Sequence, residues 1–354
     1  MKIALDAMGG DHAPRETVQG AVLAVQDAEI LGMSNHDLEM VLVGKREVIE
    51  KELASAGNYP KKSISIVDAR EVVEMSDHPA HACKQKRDSS IVRCAGLVKT
   101  GEVAATISAG NSGAAMAAAL MMCGRIDGVL RPAIVTLVPS INGFSVLVDA
   151  GANVDCKAKH LLQFALMGDV LARAVLNFKS PRVGLLSIGE EETKGNELVF
   201  ETQALLKKVP LNYIGNTEGR DIVNGNCDVT VCDGFVGNVA LKSIEGVGEM
   251  VFNGLTKEIK SNLITLIGGL IARPAFKRFK KHVDWREFGG APLLGIDGLN
   301  LISHGKSDAF AIKNAVRMAV RCVNHDMNAV LKKQINDYGQ VADKPETNKS
   351  GESK

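Results

Sequence analysis

The sequence predicts a three-layer α/β fold in which a mostly parallel sheet is covered by helices on both faces. Short runs rich in valine, isoleucine and leucine alternate with helical patterns along most of the chain, which is typical of repeated β-α-β units. These runs are apolar almost without interruption, as expected for strands buried on both faces. Aromatic residues make up only 4% of the chain, so aliphatic and alanine side chains must fill the core.

Nine segments have this strand character. They are Ile3–Ala7, Leu38–Val43, Ile64–Val67, Val103–Ser108, Ala133–Val138, Phe144–Val148, Val183–Ile188, Val229–Cys232 and Leu299–Ser303. Helical patterns or polar turns separate them, and a doubly wound sheet places its ligand sites beyond the carboxyl ends of such strands.

Two regions depart from this alternation. Between about Ser243 and Val283 there is no strand signal, which predicts two helices inserted as a hairpin that turns around Gly268, Gly269 or Pro274. The last residues are polar and have no periodicity. We therefore expect one α/β domain over residues 1–337, a helical hairpin insert at about 243–283 and a disordered tail at 338–354.

Charge and cysteine content exclude several classes of protein. Lysine and arginine total 42 against 41 acidic residues, so the net charge of +1 gives no global attraction to nucleic acid. Seven cysteines without a CxxC pair, and eight histidines without metal spacing, indicate buried thiols in a reducing compartment and no metal site. With no signal peptide or membrane-spanning run, we expect a cytoplasmic protein that contacts membranes at most peripherally.

The loop after Val103–Ser108 has the composition of a phosphate-binding loop. Its residues Ser108, Gly110, Asn111, Ser112 and Gly113 are small or polar, and an alanine-rich helical pattern follows. Small residues allow close approach to an anion, and the first amides of a helix offer unpaired donors and a positive dipole end. The loop is neither a Walker A sequence nor GxGxxG, so neither ATP nor a dinucleotide is indicated. The alternative is an ordinary tight turn.

Five further loops combine glycine with asparagine, aspartate, lysine or histidine. They are 149–155, 189–196, 215–220, 233–238 and 303–306. Each alone is compatible with an ordinary capped turn, but together they predict one polar crevice that accepts an anion. Neither a GxSxG elbow nor a recognisable cysteine nucleophile is present. Phosphate can itself act as the nucleophile on a thioester, which requires alignment and oxyanion donors instead of a catalytic triad.

Seven motifs in order resemble one family over roughly residues 1–334. They are IALDAMGGDHAP, TISAGNSGA, VDAGANVD, TKGNEL, IGNTEGRD, CDGFVGNVALK and SHGKSD. Together they resemble the phosphate:acyl-acyl carrier protein acyltransferases of the PlsX type. The one visible departure is a family segment rich in arginine, where this chain has His81, Cys83 and Gln85.

The resemblance implies a specific function and setting. It implies a fold akin to phosphotransacetylases and to isocitrate and isopropylmalate dehydrogenases, a homodimer, and no cofactor. It also implies that the enzyme makes acyl phosphate from phosphate and acyl-acyl carrier protein. That is the first step of phospholipid synthesis, and a membrane-bound glycerol-3-phosphate acyltransferase uses the product.

Candidate roles follow for the polar residues of these loops. Inorganic phosphate is expected on the 108–113 loop, with Lys194 as a nearby point charge. Asn153 and Asn238 are candidate donors to the thioester carbonyl oxygen. Asp233 either orients Lys194 or phosphate, or caps a helix. His304 either protonates the departing thiolate or bonds the backbone.

The predicted hairpin has an apolar part followed by a basic part. Leu266 and Ile267 belong to the apolar part, and the basic part contains Lys277, Arg278, Lys280 and Lys281. This order suits a peripheral membrane helix, or a dimer interface followed by a dock for acidic carrier protein. Three other functions remain open: a phosphotransacetylase-like enzyme using acyl-coenzyme A, a decarboxylating dehydrogenase, and a non-catalytic membrane scaffold.

Overall fold

A computed structural model of the chain describes residues 1–34 and 37–338. The strands have the following bounds: β1 Lys2–Asp6, β2 Glu39–Gly44, β3 Ile64–Asp68, β4 Ala105–Ser108, β5 Ala133–Ser140, β6 Gly143–Val148, β7 Val183–Leu186, β8 Tyr213–Thr217, β9 Val229–Val231, β10 Ala291–Leu294 and β11 Leu299–Ile302. All nine predicted strands are present, with ends shifted by one or two residues.

The helices alternate with these strands. They are α1 Arg15–Ala24, α2 Ala28–Met33, α3 Arg46–Ser55, α4 Pro79–Gln85, α5 Ser90–Lys99, α6 Ser112–Met122, α7 Ala158–Val170, α8 Glu197–Leu206, α9 Gly219–Asn224, α10 Gly234–Ile259, α11 Leu263–Val283, α12 Ala309–Asn324 and α13 Met327–Tyr338. A π-helical turn, Leu171–Val175, continues α7, and 3-10 turns occupy Lys61–Ser63 and Trp285–Glu287.

The strands form a single sheet in the order β3-β2-β1-β4-β11-β10-β5-β6-β9-β7-β8. The pairs β1–β2, β1–β4, β2–β3 and β4–β11 are parallel, as are β6–β9, β7–β9 and β7–β8. The pairs β10–β11, β5–β10 and β5–β6 are antiparallel. The strands β6 to β9 therefore run opposite to β1 to β4, and the sheet has two parallel blocks.

Helices cover both faces of the sheet, as β1 illustrates. Ile3 and Leu5 belong to the large core cluster that contains Val22 of α1 and Ile312 of α12. Ala4, between them, belongs to a separate cluster with Cys94 of α5. Because successive side chains of a strand point to opposite faces, these two clusters lie on opposite sides of the sheet. The predicted three-layer fold is confirmed.

The helix pair α1 and α12 packs closely because α1 contains a glycine at the contact. A Cβ atom placed on Gly20 would lie 2.5 Å from Cβ of Ile312. In the other block, α7 is buried over most of its length and its Phe164 is fully buried. Aliphatic packing of this kind stabilises the sheet without many aromatic side chains.

The helical hairpin is present, but the predicted position of its turn is wrong. The turn lies at residues 260–262, where the side chain of Asn262 accepts a hydrogen bond from the amide of Thr265 and begins α11. Gly269 lies within α11, where the missing side chain leaves room for Ile259 of α10. Pro274 also lies inside α11.

Two strands escaped the sequence prediction, and one predicted loop is partly strand. Gly215 and Asn216 belong to β8, and β10 contains Pro292, which is unusual for a strand with neighbours on both sides. At the carboxyl end, Tyr338 ends α13. The rest of the predicted tail, 339–354, lies outside the described residues. None of the described helices is long and apolar enough to cross a membrane.

Candidate active site

Ser108, the first predicted phosphate-binding residue, is hydrogen-bonded to a buried carboxylate. The Ser108 hydroxyl donates to Oδ2 of Asp6 at 2.7 Å, and the amide of Gly110 donates to the same hydroxyl at 3.1 Å. Burial raises the pKa of the Asp6 carboxyl, and hydrogen bonds from Ser90, Ser108 and backbone amides partly oppose that rise. The Ser108 hydroxyl and the Gly110 amide therefore donate their hydrogens to groups of the protein, and these bonds fix the shape of the loop.

Asn111 begins α6 and ties the loop to a neighbouring segment. Its Oδ1 accepts from the amide of Ala114 at 3.1 Å, and its Nδ2 donates to the carbonyls of Met75 and Asp77 at 3.1 and 3.3 Å. The amides of Ser112 and Gly113 are the first of the helix, where no preceding turn supplies a carbonyl. An anion at this end would meet those two amides and the positive end of the helix dipole.

Three loops meet at the carboxyl ends of β1, β4 and β11. The amide of Asp11 donates to the carbonyl of Gly305 at 2.8 Å. Gly10 has a φ of +114°, and a Cβ atom there would lie 3.3 Å from Cβ of Ala109 and 3.3 Å from the Gly305 oxygen. Only glycine fits this position, so the 108–113 and 303–306 loops form one surface, as predicted.

A lysine that the sequence prediction missed lies beside His304. Nζ of Lys242, on α10, is 3.1 Å from Nε2 of His304 and 2.6 Å from a carboxylate oxygen of Glu245. Nδ1 of His304 accepts from the amide of Lys306 at 3.1 Å, which places the proton of the neutral ring on Nε2. Both nitrogens then carry hydrogens, and an anionic oxygen beside the pair, within hydrogen-bond distance of each nitrogen, would accept from both.

The surroundings of His304 keep its ring neutral at neutral pH. Burial lowers its pKa first, Lys242 and Lys306 lower it further, and Glu245 and Asp11 partly oppose them. Ser303 and Ser307, which precede and follow His304 in sequence, have buried hydroxyls. Neither makes a hydrogen bond to any part of the chain that the structure describes.

The loop after β6 is organised by a fully buried carboxylate. Asp149 accepts from the amides of Ile134, Gly151, Ala152 and Asn153 at 2.8 to 3.1 Å. Asn153 donates its two amide hydrogens to Oδ2 of Asp149 at 2.8 Å and to the carbonyl of Pro132 at 2.7 Å. Both hydrogens are therefore engaged within the protein, and the geometry gives Asn153 a positioning role.

The start of α10 connects the two groups of loops. Asp233 caps the helix by accepting from the amide of Val236 at 2.9 Å, which is the alternative considered for it above. Asn238 is exposed and lies against Gly151, and Lys242 follows it by four residues on the same helix face. The helix spans about 13 Å from Asp233 to Lys242 at 1.5 Å per residue. Asn238 is thus one turn from the Lys242–His304 pair.

Lys194 lies in the loop after β7, in the reversed block of the sheet. Its amide donates to the carbonyl of Glu191 at 2.9 Å, and its carbonyl accepts from Nδ2 of Asn216 at 3.0 Å. The lysine side chain is exposed. Within residues 1–34 and 37–338, no hydrogen bond joins Lys194 to His304 or Asn238. β7 runs opposite to β4, and a single crevice that includes both the Lys194 loop and the 108–113 loop stays a prediction.

The segment that departs from the family pattern packs behind α6. Cys83 is buried in α4, where its thiol donates to the carbonyl of Ala114 at 3.4 Å, and burial raises its pKa. His81 and Gln85 are exposed on the same short helix. Cys83 is therefore a packing residue of the helix that carries the candidate phosphate amides.

The hairpin leaves most of its apolar side chains in solvent. Leu266 is 39% and Ile267 50% exposed, and α11 has no buried residue. The four predicted basic residues are also exposed. Lys280 lies over the ring of Phe252 on α10 at 5.2 Å, and Arg278 and Lys281 line a cavity beside Phe144.

Comparisons with known proteins place these observations in a family. The model of the family described as fatty acid synthesis protein matches residues 1–330. A phosphate acyltransferase from Dictyoglomus turgidum is 52% identical over 338 residues, covering 95% of this chain and 98% of that protein. A phosphate acyltransferase from Pelotomaculum thermopropionicum is 50% identical over 337 residues, covering 95% of each.

Solved structures with low sequence identity share the fold. A phosphotransacetylase from Streptococcus pyogenes matches with a TM-score of 0.58 at 18% identity, over 91% of this chain and 94% of that one. A 4-hydroxythreonine-4-phosphate dehydrogenase from Klebsiella pneumoniae matches with a TM-score of 0.53 at 11% identity, over 92% and 98%. These likenesses concern the fold alone.

Proposed function

This chain belongs to the fatty acid synthesis protein family, and we propose that it transfers an acyl group from acyl carrier protein to inorganic phosphate. It is an acyltransferase, as are relatives about half identical to it over almost their whole length. The structural observation that carries the proposal is the pairing of Nζ of Lys242 with Nε2 of His304 at 3.1 Å.

The reaction needs two aligned substrates. An oxygen of phosphate attacks the thioester carbonyl carbon, a C–O bond forms, and the C–S bond breaks. The carrier-protein thiolate leaves and takes a proton from solvent. No oxidation state changes, so the proposal includes no cofactor. The protein must hold phosphate, orient the thioester and stabilise the oxyanion.

We assign phosphate to the space between Lys242, His304 and the first amides of α6. The ammonium and the ring N–H supply two donors, and the amides of Ser112 and Gly113 supply two more at the positive end of a helix. Ser108, Gly110 and Asn111 support this site by fixing the loop. The family of relatives named phosphate acyltransferase agrees with an anion site of this kind.

Asn238 is the proposed donor to the carbonyl oxygen. It is exposed, lies one helical turn from Lys242, and is positioned by the cap that Asp233 makes. Asn153 fixes the adjacent loop instead of donating. Lys194 remains a proposed point charge that attracts an anionic substrate toward the thioester.

We propose that the hairpin pairs with a second copy of the chain. The apolar side chains of α10 and α11 are exposed along their lengths, including Val251 at 54% and Ile264 at 84%. Two helices with one uncovered apolar face are completed into a four-helix arrangement by an identical pair. The exposed basic residues of α11 suit acidic carrier protein or the anionic surface of a membrane.

We propose that the enzyme works in the cytoplasm, in peripheral contact with the inner membrane surface. Its acyl phosphate would pass to a membrane-bound glycerol-3-phosphate acyltransferase in phospholipid synthesis. The family description of fatty acid synthesis and the exposed basic surface of the hairpin support this proposal.

A thiol-release assay tests the activity. Palmitoyl-acyl carrier protein and palmitoyl-coenzyme A are supplied in parallel with phosphate, and hydroxylamine traps the acyl phosphate. We expect phosphate-dependent product from the carrier-protein donor. Product from coenzyme A alone would favour the phosphotransacetylase-like alternative, and no product from either would favour the scaffold. Reduction of a nicotinamide cofactor would indicate a dehydrogenase.

A lysine variant tests the phosphate site. Losing one charged hydrogen-bond donor in Lys242→Met should raise the KM for phosphate about 10- to 100-fold. The matched control is Lys51→Met on α3, an exposed lysine that should leave the KM unchanged. An unchanged KM in Lys242→Met would remove the lysine from the site.

The assembly is tested by introducing charge on the hairpin. Ile264→Asp should shift the protein toward monomer in analytical ultracentrifugation, whereas Ile188→Asp, at a similarly exposed position outside the hairpin, should not. Neutralising Lys277, Arg278, Lys280 and Lys281 to glutamine should weaken binding to anionic vesicles. A dimer in both isoleucine variants would contradict the proposed interface.

A further inference from the structure

Aromatic side chains lie in a row that begins at the Lys242–His304 pair. The Trp285 ring is 5.2 Å from the His304 ring, between centroids. Phe288 follows Trp285 by one 3-10 turn, and its ring lies 5.8 Å from that of Phe144. Phe144 in turn lies 5.9 Å from Phe178. We call Trp285, Phe288, Phe144 and Phe178 the aromatic row.

The aromatic row is poorly explained as core packing. All four rings are only partly buried, and Trp285, Phe288 and Phe144 belong to none of the hydrophobic clusters formed by the described residues. The chain has one tryptophan and ten phenylalanines, so this row concentrates a scarce residue type in one place. Leaving aromatic area in water is unfavourable unless something covers it.

Two cavities lie against the row on either side of Phe144. One, of about 270 Å³, is lined by Phe144 and Phe288 together with the polar or charged residues Arg278, Lys281, His282 and Glu287. The other, of about 310 Å³, is lined by Phe144, Met33, Val175 and Leu176 together with Asn177, Arg321, Asn324 and His325. Ligand sites typically begin at about 300 Å³. The rings of the row thus supply apolar walls to cavities that also have polar walls.

The segment that carries the first two rings is firmly held. The guanidinium of Arg286 donates to both carboxylate oxygens of Asp284, at 2.6 to 3.1 Å, and to Asp308 at 2.6 Å. The carbonyl of Arg286 accepts from Nδ2 of Asn314 at 2.7 Å. Trp285 and Phe288 flank this arginine in sequence, so their backbone is fixed before any ligand binds.

We propose that the aromatic row binds the alkyl chain of the acyl donor, with the thioester at the Lys242–His304 pair and the methyl end toward Phe144 and Phe178. The inference rests on the proposed acyl transfer and adds its chain-binding subsite. The direction follows from the proposed phosphate site, because the thioester must lie beside the attacking phosphate. Trp285 is the ring of the row that lies next to His304, at 5.2 Å between centroids.

Chain-length dependence provides the first test. Butyryl-, octanoyl- and palmitoyl-acyl carrier protein are compared in the thiol-release assay. For the native enzyme kcat/KM should rise about twofold to fourfold per methylene that reaches the rings. In Phe288→Ala and Phe144→Leu this dependence should flatten while the butyryl rate stays within about threefold of the native rate. Equal slopes in native and variant enzymes would overturn the proposal.

Two controls separate the subsite from misfolding and from the proposed function. A misfolded variant loses activity with all three donors equally, whereas subsite loss spares the butyryl donor. Phe200→Ala removes a partly exposed phenylalanine of α8 outside the row and should keep the native slope. No turnover of any donor by the native enzyme would refute the acyl-transfer function instead.

The chain's single tryptophan provides a second readout that does not depend on turnover. Stearate spin-labelled near its carboxyl end should quench Trp285 fluorescence more strongly than stearate labelled near its methyl end, and Phe144→Leu should weaken binding of both. Equal quenching by the two probes would overturn the proposed direction. Saturable binding only of anionic phospholipid vesicles, with no free stearate bound, would assign the row to a membrane instead.

Discussion

Ser108 and Asp6 join the carboxyl ends of two neighbouring strands through a buried hydrogen bond of 2.7 Å. The hydroxyl is the donor, and it also accepts from the Gly110 amide. A residue that the sequence pattern assigns to phosphate binding is therefore committed to holding the loop. This distinction between positioning and contact separates the predicted site residues into two groups that substitutions can tell apart.

Ser108→Ala should reduce the free energy of unfolding by about 1–3 kcal/mol, because Asp6 and the Gly110 amide each lose a buried partner. Urea unfolding measures the loss. Ser55→Ala, at an exposed serine of α3, is the control and should change stability by about 0.5 kcal/mol at most. Equal stabilities of the two variants would show that the Asp6 contact contributes nothing.

The two asparagines proposed as carbonyl donors should behave differently. Asn238→Ala should lower kcat about 100- to 1,000-fold, as expected for an oxyanion donor, with stability nearly unchanged because the side chain is exposed. Asn153→Ala should instead cost about 1–3 kcal/mol of stability, because the buried Pro132 carbonyl loses this donor and Asp149 loses one of its hydrogen bonds. Steady-state kinetics and urea unfolding of both variants test these roles. A loss of kcat in Asn153→Ala and of stability in Asn238→Ala would exchange them.

The pKa of His304 should respond with opposite signs to its two neighbours on α10. Burial and Lys242 lower it, so Lys242→Met should raise the midpoint of the His304 ring titration. Glu245 raises it, so Glu245→Gln should lower the midpoint further. NMR titration, with the signal assigned through His304→Gln, measures both. Shifts of the same sign would contradict the arrangement.

The contact of α1 with α12 should not tolerate a side chain at Gly20. Gly20→Ala places a methyl group 2.5 Å from Ile312 and should destabilise the protein by about 1–3 kcal/mol. Gly32→Ala on α2 is the matched control: its Cβ meets no atom within 4 Å, and the gain in helix propensity should stabilise by about 0.5–1 kcal/mol. Thermal unfolding should separate the two; a stable Gly20→Ala would mean that the helices move apart easily.

The sequence predicted strand positions better than strand directions. Continuous apolar runs marked nine strands because burial on both faces leaves a strong pattern. β8 escaped because YIGNT contains glycine and asparagine, and β10 because APLL contains proline. The antiparallel placement of β10 and β5 leaves no mark on composition, since a buried strand has the same pattern in either direction.

The site was predictable at the level of loops and less so at the level of atoms. Ser108, Asn111 and His304 could be predicted as site residues because glycine-rich turns follow buried strands. Lys242 was missed because it lies within a helix, where a lysine on an exposed face is common. The signal that could have found it is its spacing of four residues from Asn238, which places both on one face. Asn153 donates one of its hydrogens to the carbonyl of Pro132, which is 21 residues away in sequence. No local sequence pattern predicts that bond.

The position of β11 between β4 and β10 has a consequence for how the chain folds during synthesis. Thr106 of β4 pairs with Asn300 of β11, which lies almost two hundred residues later in the chain. β4 therefore has no strand partner on that side until most of the chain has left the ribosome. A nascent chain that ends before residue 299 exposes β4 as an open edge. Long-range pairing of this kind slows folding and leaves such intermediates prone to aggregate. The first third of the protein therefore completes its part of the sheet only after the last third has been synthesised.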